Sequence, residues 1–512
     1  MSIEIDAKAE DHQLSSTPGT PDTEHSHAAH AELSEEARAE ERALMRKIDM
    51  RLIPWLSLLY LLAFLDRSAI GNAKLYGLAT DLRLTDSQYL ITLTVFFISY
   101  SVFEVPSNIL LKRLRPSIWL PFIMVAWGVC MLSNGFVTNY AGLTAVRWFL
   151  GVTEAGLFPG VNLSCWYKRS EFGLRAAVFF SAATVSGAFG GLIAAGIGSG
   201  MEGVGGKPSW AWIFILEGLV TILVAIASFW VVADFPDTAK FLTPREREIV
   251  VRRLQEDEQF SAAGEGFQWS AITQSLADWR TWVGMVAYMG VDGPLYAFSL
   301  FTPSIVKELG YTATIANLLT VPIYVWACLL TIGVGFAADR YKTRIKFNLV
   351  FLAIGAAGYI ILIASRNAAL SYFAIYLAAS GIFPLIPNTV ALISNNVEGS
   401  YKRSVSLGMV ISWGNLNGAV SSNIYRAVQR PWYPLGHGIV LCYIGLGVLS
   451  NLVYWYFTKK ENDARDRGER DEAIGGVPLA KGELRDGKGH GGWYATIQDA
   501  KADKGDNWSG YR

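Results

Sequence analysis

Charge is scarce in this chain. Only 17% of its 512 residues are charged, whereas 52% are hydrophobic; soluble domains carry about 25% charged residues. The 44 basic and 44 acidic residues cancel, so the chain lacks the basic field expected of a nucleic-acid-binding protein. Most of the charges crowd into residues 1–50, 234–280 and 459–512. The long stretches between these blocks therefore have a composition that suits lipid rather than water.

Cysteine is also rare, and its positions have no spacing typical of a zinc site or a disulfide framework. All four cysteines lie in apolar segments, where we interpret them as packing residues: Cys130, Cys165, Cys328 and Cys442. No nucleophile–base pairing or metal-ligand spacing appears in or between the apolar segments, so we expect no enzyme activity and no cofactor. The first 40 residues lack the apolar core of a cleavable signal peptide, so we expect the first apolar segment to direct insertion.

Apolar stretches of about 20 residues recur along the chain, which is the length needed to cross roughly 30 Å of hydrocarbon. They lie at about 52–74, 88–111, 117–136, 141–163, 175–198 and 210–233, and then at 280–302, 315–337, 347–364, 370–393, 404–424 and 435–457. We predict an all-α membrane protein with twelve transmembrane helices in two pseudo-symmetric six-helix bundles. The predicted organisation is a disordered cytoplasmic tail (1–50), a first bundle (51–233), a cytoplasmic loop with a short helix (234–279), a second bundle (280–458) and a disordered cytoplasmic tail (459–512).

Lysine and arginine favour one orientation of these spans. The even-numbered connections carry more of them than the odd-numbered ones, which predicts that both termini are cytoplasmic. Arg426 and Arg430 in the last odd connection run against the trend.

In the central loop, Thr243, Pro244 and Glu246 match a helix N-terminus with a capping box. We predict a short helix from there to about Glu258.

Four charged side chains interrupt the apolar spans: Asp66, Arg67, Arg147 and Glu154. A charge at the bilayer centre costs roughly 2.5–3.5 kcal/mol on insertion scales, so these side chains are expected to face one another or a water-filled cavity. A buried carboxylate that exchanges a proton, beside an arginine that holds an anion, is the minimum set for proton-coupled anion transport. The alternative is a static ion-pair lock between helices.

Helix rise gives the depth of each charge. Asp66 is about 21 Å from the cytoplasmic start of the first span, and Arg147 is about 9 Å from the outer start of the fourth, so both lie about 9 Å below the outer edge. Asp66 and Arg147 are therefore level and can pair if the two helices adjoin. Glu154 lies two turns deeper than Arg147 on the same face, and Arg67 points about 100° away from Asp66. We expect protonation of Asp66 to release Arg147, and Arg67 to bind a substrate carboxylate.

Other polar residues in the spans have alternative interpretations. Glu104 and Glu217 lie near helix ends and are interpreted first as locks. Asp292 precedes a Gly-Pro pair in the seventh span, where it either satisfies amides freed by a helix break or takes part in substrate or proton binding. The fifth span is rich in glycine, which allows helices to approach closely.

The chain resembles the major facilitator superfamily, and within it the fungal anion:cation symporter family that includes allantoate and nicotinate permeases. The resemblance covers roughly residues 45–460 and rests on several motifs in order: the LDRSAIGNAK run at 65–74, the EVPSN run at 104–108, the RWFLGVTEAGLFP run at 147–159 and the GFAADRYKTR run at 335–344. It departs from the family at Ala69, where asparagine is usual, and at Asp292, where a neutral residue is expected.

The resemblance implies a major facilitator fold, a site at the membrane midplane and alternating access. By motif, proton coupling falls on Asp66, Arg147 and Glu154. The residues assigned to substrate binding are Arg67, Arg147, Asn72, Asp292 and Asn415. Those assigned to gating are Glu104, Asp339, Arg340 and Arg344.

The leading hypothesis is proton-coupled symport of a small organic anion, such as nicotinate or another monocarboxylate, by a monomer in the plasma membrane. Its partners would be the anion, protons and the bilayer, with no nucleic acid. Two alternatives stay open: export of an organic acid or secondary metabolite, and a nutrient sensor that signals through its tails without transporting.

Overall fold

The computed structural model describes residues 21–156, 166–256, 269–397, 400–467, 473–474 and 493–494. The chain divides into two units, Met1–Met50 and Arg51–Arg512. In the first unit, residues 21–50 are helical, although the sequence predicts a disordered tail. Alanine, glutamate and arginine dominate this stretch, and all three are strong helix formers.

The described helices, in chain order, are α1 (Pro21–Leu75), α2 (Leu78–Asp81), α3 (Asp86–Arg113), α4 (Pro116–Asn134), α5 (Tyr140–Glu154), α6 (Arg169–Gly200), α7 (Ser209–Val231), α8 (Pro244–Glu256), α9 (Trp269–Ala277), α10 (Trp279–Glu308), α11 (Ala313–Tyr341), α12 (Arg344–Ala364), α13 (Ala368–Ser380), α14 (Leu385–Asn395), α15 (Ser400–Ser421) and α16 (Pro434–Asp466). Short 3₁₀ helices cover Val204–Gly206 and Ala427–Gln429. Two two-residue strands, Ala473–Ile474 and Trp493–Tyr494, pair in parallel within the segment predicted to be disordered.

The twelve predicted spans fall on helices. The first six correspond to α1, α3, α4, α5, α6 and α7, and the last six to α10, α11, α12, the pair α13–α14, α15 and α16. The end of the fourth span, including Pro159 of its motif, lies outside the described residues. The tenth span is divided between Ser380 and Leu385, and α16 continues past the predicted end of its bundle.

Eight of the described helical segments are long and apolar enough to cross a membrane. The fourth span falls short in the described part because α5 has only 15 residues. The helices α3, α10 and α15 also fall short, and they carry Glu104, Asp292 and Asn415 respectively. Polar side chains inside a span lower its mean hydropathy, although α1 and α7, which carry Asp66, Arg67 and Glu217, are still among the eight.

The outer surface of the helices is apolar. Large side chains that are more than half exposed occur on the spans, among them Phe122, Leu223, Leu329, Phe373 and Leu449. A soluble protein rarely leaves so much contiguous apolar surface uncovered. Because the charged residues lie inside and the apolar residues outside, the packing suits a lipid environment.

The predicted loop helix is present. The Thr243 backbone N–H donates to Glu246 Oε2 at 2.8 Å, and the Glu246 backbone N–H donates to Thr243 Oγ1 at 3.3 Å. This reciprocal pair is the capping box expected from the sequence, and α8 follows it to Glu256. The next helix, α9, was not predicted.

The helices α6 and α11 come from opposite halves of the chain and pack closely along most of their length. A Cβ added at Gly191 would lie 2.7 Å from the backbone oxygen of Asn317. Near the other end of the pair, Gly173 lies against the carboxylate of Asp339. At Gly191 a side chain would meet backbone and push the two helices apart.

We expect Gly191→Ala to hinder the approach of α6 and α11. Overpacking typically costs about 1–3 kcal/mol. If only the conformation with α6 packed against α11 bears this cost, its population falls about 5–150-fold. Uptake by cells with matched surface expression should therefore fall at least several-fold. Gly196→Ala is the matched control, because a Cβ at Gly196 meets nothing within 4 Å. Equal uptake in both variants would contradict the requirement for close approach.

Candidate functional site

An ion pair joins the first and fourth spans. Arg67 on α1 donates from Nη2 to Glu154 Oε1 at 2.5 Å and from Nε to the same oxygen at 3.1 Å. Arg67 is 7% exposed and Glu154 is fully buried. In this conformation the carboxylate that Arg67 binds is that of Glu154.

Aromatic rings surround the Arg67 guanidinium. Its central carbon lies 5.0 Å from the Phe64 ring centre, 5.4 Å from that of Phe96 and 4.9 Å from that of Tyr100. Cation–π attraction at such distances is stronger in desolvated sites. The rings therefore hold the cation in place and shield it from water.

A hydrogen-bonded chain continues from Arg67 into the second half of the protein. Arg67 Nη1 donates to Tyr296 Oη at 2.7 Å, Tyr296 donates to Asn415 Oδ1 at 2.5 Å, and Asn415 Nδ2 donates to Glu104 Oε2 at 3.3 Å. The chain thus starts at Glu154 and ends at Glu104, and it crosses between the two halves twice. It brings together Arg67, Glu154, Asn415 and Glu104 from the sequence-predicted set.

Further contacts between the halves close over this network. A Cβ on Gly71 would lie 2.7 Å from the backbone oxygen of Leu300, one turn beyond the contact of Arg67 with Tyr296. On the neighbouring pair of helices, Thr94 Oγ1 and Ser422 Oγ are 3.1 Å apart. The network is therefore enclosed between the halves in this conformation.

Asp66 occupies a different environment from Arg67. Its Oδ2 accepts hydrogen bonds from Trp127 Nε1 on α4 at 2.7 Å and from Thr221 Oγ1 on α7 at 2.8 Å. Within the described part of the chain, no ion pair joins Asp66 to Arg147, so the predicted pairing is wrong for this conformation. Helix rise sets the depth of a residue, but the direction in which Asp66 points is set by packing against α4 and α7.

Arg147 is buried without a direct anionic partner among the described residues. It is 1% exposed, and its Nε and Nη2 atoms make no hydrogen bond there. The carboxylates of Glu154, Asp66 and Glu217 lie within electrostatic range, and the Phe214 ring centre is 5.4 Å from the guanidinium carbon. Arg147 therefore lies between the Arg67–Glu154 pair and the Asp66 pocket.

Asp292 is 2% exposed and sits on an unbroken helix. α10 runs from Trp279 to Glu308 through Pro294, so the predicted helix break is absent and Asp292 does not cap freed amides there. Tyr288 lies one turn earlier on the same helix face, and Oδ2 of Asp292 has no hydrogen-bond partner in the described part of the chain. Arg67 and Glu104 are its charged neighbours.

Asn72 lines a small cavity between the halves with a volume of about 20 Å³, enough for about one water molecule in this conformation. Both polar and apolar side chains line it, and none of them is charged. The lining residues are Phe64, Ser68, Asn72, Ala183, Ser186, Gly187, Ser299, Pro303, Thr320 and Tyr324. Phe64 lines the cavity and also contacts Arg67, so its ring separates the cavity from the Arg67 guanidinium.

The predicted gating residues form a cluster at the end of α11. Arg344 forms an ion pair with Asp339, and its Nη1 donates to Asn388 Oδ1 at 3.1 Å. Both members of the pair lie against Gly173 of the other half. Arg340 is exposed and makes no ion pair within the described ranges.

Sequence reasoning missed the neutral partners of the charges, chiefly Tyr296, Trp127 and Thr221. Tyr288 and Tyr296 lie four residues either side of Asp292, so helical spacing places all three on one face. That pattern was a usable signal for Tyr296. Nothing comparable marked Trp127 or Thr221, which meet Asp66 only through tertiary packing.

A sequence profile of the Major Facilitator Superfamily matches residues 56–422. The chain is 37% identical over 442 residues to the MFS-type transporter cnsO of Penicillium expansum, covering 83% of this chain and 85% of that one. It is 32% identical over 428 residues to the high-affinity nicotinic acid transporter of Saccharomyces cerevisiae, covering 83% and 79%.

Solved structures share the fold. Crystal structures of a bacterial homologue of the human lysosomal transporter Spinster, inward-facing and either occupied or unoccupied, each align with a TM-score of 0.59. They cover 80% and 79% of this chain and 96% of theirs, at 15% and 16% identity. With the profile match and the transporter relatives, the nearly all-helical fold and the enclosed polar site show that this chain belongs to the Major Facilitator Superfamily and is a multi-pass membrane transporter rather than an enzyme.

Proposed function

We propose that the protein is a proton-coupled symporter of a small organic monoanion, such as nicotinate or a related monocarboxylate. The observation that carries the proposal is the buried ion pair of Arg67 and Glu154, which is tied to Tyr296 in the opposite half. The nicotinic acid transporter relative supports the substrate class, since that protein is named for a small aromatic carboxylate.

In this proposal the side chain of Glu154 holds the place of the substrate carboxylate. A proton on Glu154 weakens its bond to Arg67, and the planar guanidinium fork is then free to bind a carboxylate through two parallel hydrogen bonds. Loss of that proton returns Glu154 to Arg67 and displaces the substrate. Binding of the anion and of the proton are thus coupled because both act on the same guanidinium.

Arg147 offers a second route to the same result. Glu154 Oε2 and Arg147 Nε and Nη2 are buried and have no partner among the described residues. If Asp66 gains a proton, Arg147 is attracted less to Asp66 and more to Glu154, which draws Glu154 away from Arg67. A proton on Asp66 then promotes anion binding through Arg147, at a site that the substrate does not touch.

The cavity beside Asn72 is small in this conformation and widens in this proposal to hold the rest of the substrate. Phe64 lies between this cavity and Arg67, so a rotation of the Phe64 ring joins them. Polar lining groups such as Ser68 and Thr320 provide hydrogen bonds to a ring nitrogen or hydroxyl. Asp292 and Asn415 are placed near the carboxylate end, as part of the Arg67 surroundings.

The energetics favour a coupled mechanism. Importing a monoanion against an inside-negative potential of 100 mV costs about 2.3 kcal/mol. One co-transported proton cancels that electrical cost, and each pH unit of gradient adds about 1.4 kcal/mol per proton. We propose a plasma-membrane location with both termini cytoplasmic, in keeping with the distribution of lysine and arginine, and a monomer as the functional unit.

The test is uptake by purified protein in proteoliposomes. An inward proton gradient is imposed, and uptake of labelled nicotinate is compared with that of labelled nicotinamide, which has the same ring without the carboxylate. We expect gradient-stimulated uptake of nicotinate or another carboxylate from a panel of monocarboxylates, and none of the amide. Carboxylate uptake that ignores the proton gradient would refute the coupling.

A further inference from the structure

A second buried carboxylate lies beside Asp66. Glu217 on α7 is 3% exposed, and neither of its oxygens has a hydrogen-bond donor among the described residues. A charge left in this state is far more costly than a paired one. Glu217 therefore needs a neutralising proton or a share in one.

Glu217 cannot reach water by a shift of its helix. A Cβ on the adjacent Gly218 would lie 2.5 Å from the backbone nitrogen of Leu132 on α4. One turn further along α4 from the site, a Cβ on Gly135 would lie 2.7 Å from the backbone oxygen of Ala211. Because α4 and α7 touch backbone to backbone, the carboxyl group of Glu217 is fixed inside the first half.

The groups facing Glu217 can be named element by element. α1 presents Asp66 and α5 presents Arg147, which are its charged neighbours. α4 presents the neutral Trp127, and the charged residues of α6 lie in its first two turns, far from the level of Glu217. Thr221, one turn along α7, donates to Asp66 Oδ2.

The charges in this pocket do not balance without a proton. Two carboxylates, Asp66 and Glu217, share one guanidinium, Arg147, because Glu154 already pairs with Arg67. Asp66 Oδ1, both Glu217 oxygens and the Nε and Nη2 atoms of Arg147 are all buried without hydrogen-bond partners among the described residues. One proton distributed between the two carboxylates makes the pocket neutral, as happens when two acids share a site.

We propose that Glu217 shares one proton with Asp66 in the resting protein and thereby sets how readily Asp66 accepts the second proton that releases Arg147. This inference rests on the proposed function. Glu217 is a positioning residue here, since it acts on Asp66 and Arg147 and does not touch the substrate. The proton binds to a carboxylate oxygen and later dissociates from the same oxygen, so no other reactant is required.

The experiment is the pH dependence of initial carboxylate uptake in proteoliposomes with equal pH on both sides. In the wild type the second proton reaches Asp66 while the pair already holds the first, and the hydrogen bond from that shared proton favours the ionised form of Asp66. Glu217→Met removes this donor, so Asp66 accepts its proton more readily and half-maximal uptake should move to a pH higher by about one unit, with the maximal rate at acidic pH retained. Glu217→Gln keeps a donor in the same place and should stay close to the wild-type profile, and Glu217→Asp should restore it.

The matched control is Glu202→Gln, which removes a carboxylate that accepts hydrogen bonds from Ser209 at the first turn of the same helix. It should leave the pH profile unchanged. A lower rate with an unshifted profile in Glu217→Met would overturn the inference, because that is the signature of a purely structural residue. If wild-type uptake has no pH dependence at all, the proposed coupling fails first and the role of Glu217 falls with it.

Discussion

Replacing Arg67 by glutamine should abolish carboxylate uptake and also destabilise the protein. Glutamine keeps part of the side-chain length but not the charge or the fork, so the substrate loses its cation and uptake should fall at least 100-fold. Glu154 is left buried without its ion partner, and breaking a buried pair in this way typically costs about 3–5 kcal/mol. Uptake and the thermal unfolding of purified protein measure the two effects.

The double variant Arg67→Gln with Glu154→Gln separates the two roles of Arg67. Removing both charges relieves the unpaired carboxylate, so most of the lost stability should return, whereas uptake should stay absent because no cation faces the substrate. Recovery of uptake together with stability would show that the pair is only a lock between α1 and α5. The static alternative raised by the sequence would then be correct.

The second large effect is expected for Asp66→Asn. Asparagine keeps an oxygen that can accept from Trp127 and Thr221, so the packing of α1 against α4 and α7 should survive. It cannot gain or lose a proton, so the proton coupled through Asp66 is lost and accumulation of the anion against a concentration gradient should fall, although Glu154 is unchanged. At an inward gradient of one pH unit, the loss of one coupled proton lowers the limiting accumulation tenfold.

Exchange of labelled for unlabelled substrate at equal pH is the informative comparison for this variant. It requires substrate binding and the conformational change but no net proton movement, so Asp66→Asn should retain it. Thr221→Val provides the control, since it removes one donor to Asp66 while the carboxyl group stays ionisable, and it should still accumulate substrate. Proton-driven accumulation in Asp66→Asn that equals that of the wild type would remove Asp66 from the coupling mechanism.

These predictions depend on side-chain pairings. The sequence predicted the depth of the paired residues but not which residues pair. The rise of 1.5 Å per residue is the same in every α-helix, so the depths of Asp66 and Arg147 followed from counting residues. Which way each side chain points was beyond that arithmetic. Asp66 and Arg67 are adjacent in sequence, yet one faces α4 and α7 and the other faces α5 and α10, because neighbouring helices cover both sides of α1.

The tails and the central loop show the same limit. The capping box at Thr243 was readable because it is a contact between residues three apart. Residues 21–50 form a helix that charge content alone did not predict, since composition rich in charged residues is shared by disordered tails and by surface helices.

By itself, the amino-acid sequence determined the apolar spans, the membrane setting, the burial of four charges and their depth, because each of these follows from local composition and helix geometry. Only the tertiary structure decided that Arg67 pairs with Glu154, that Tyr296 and Asn415 connect this pair to Glu104 across the two halves, and that Asp66 accepts from Trp127 and Thr221. Those contacts join residues far apart in the chain, and they form only when helix packing fixes the direction in which each side chain points.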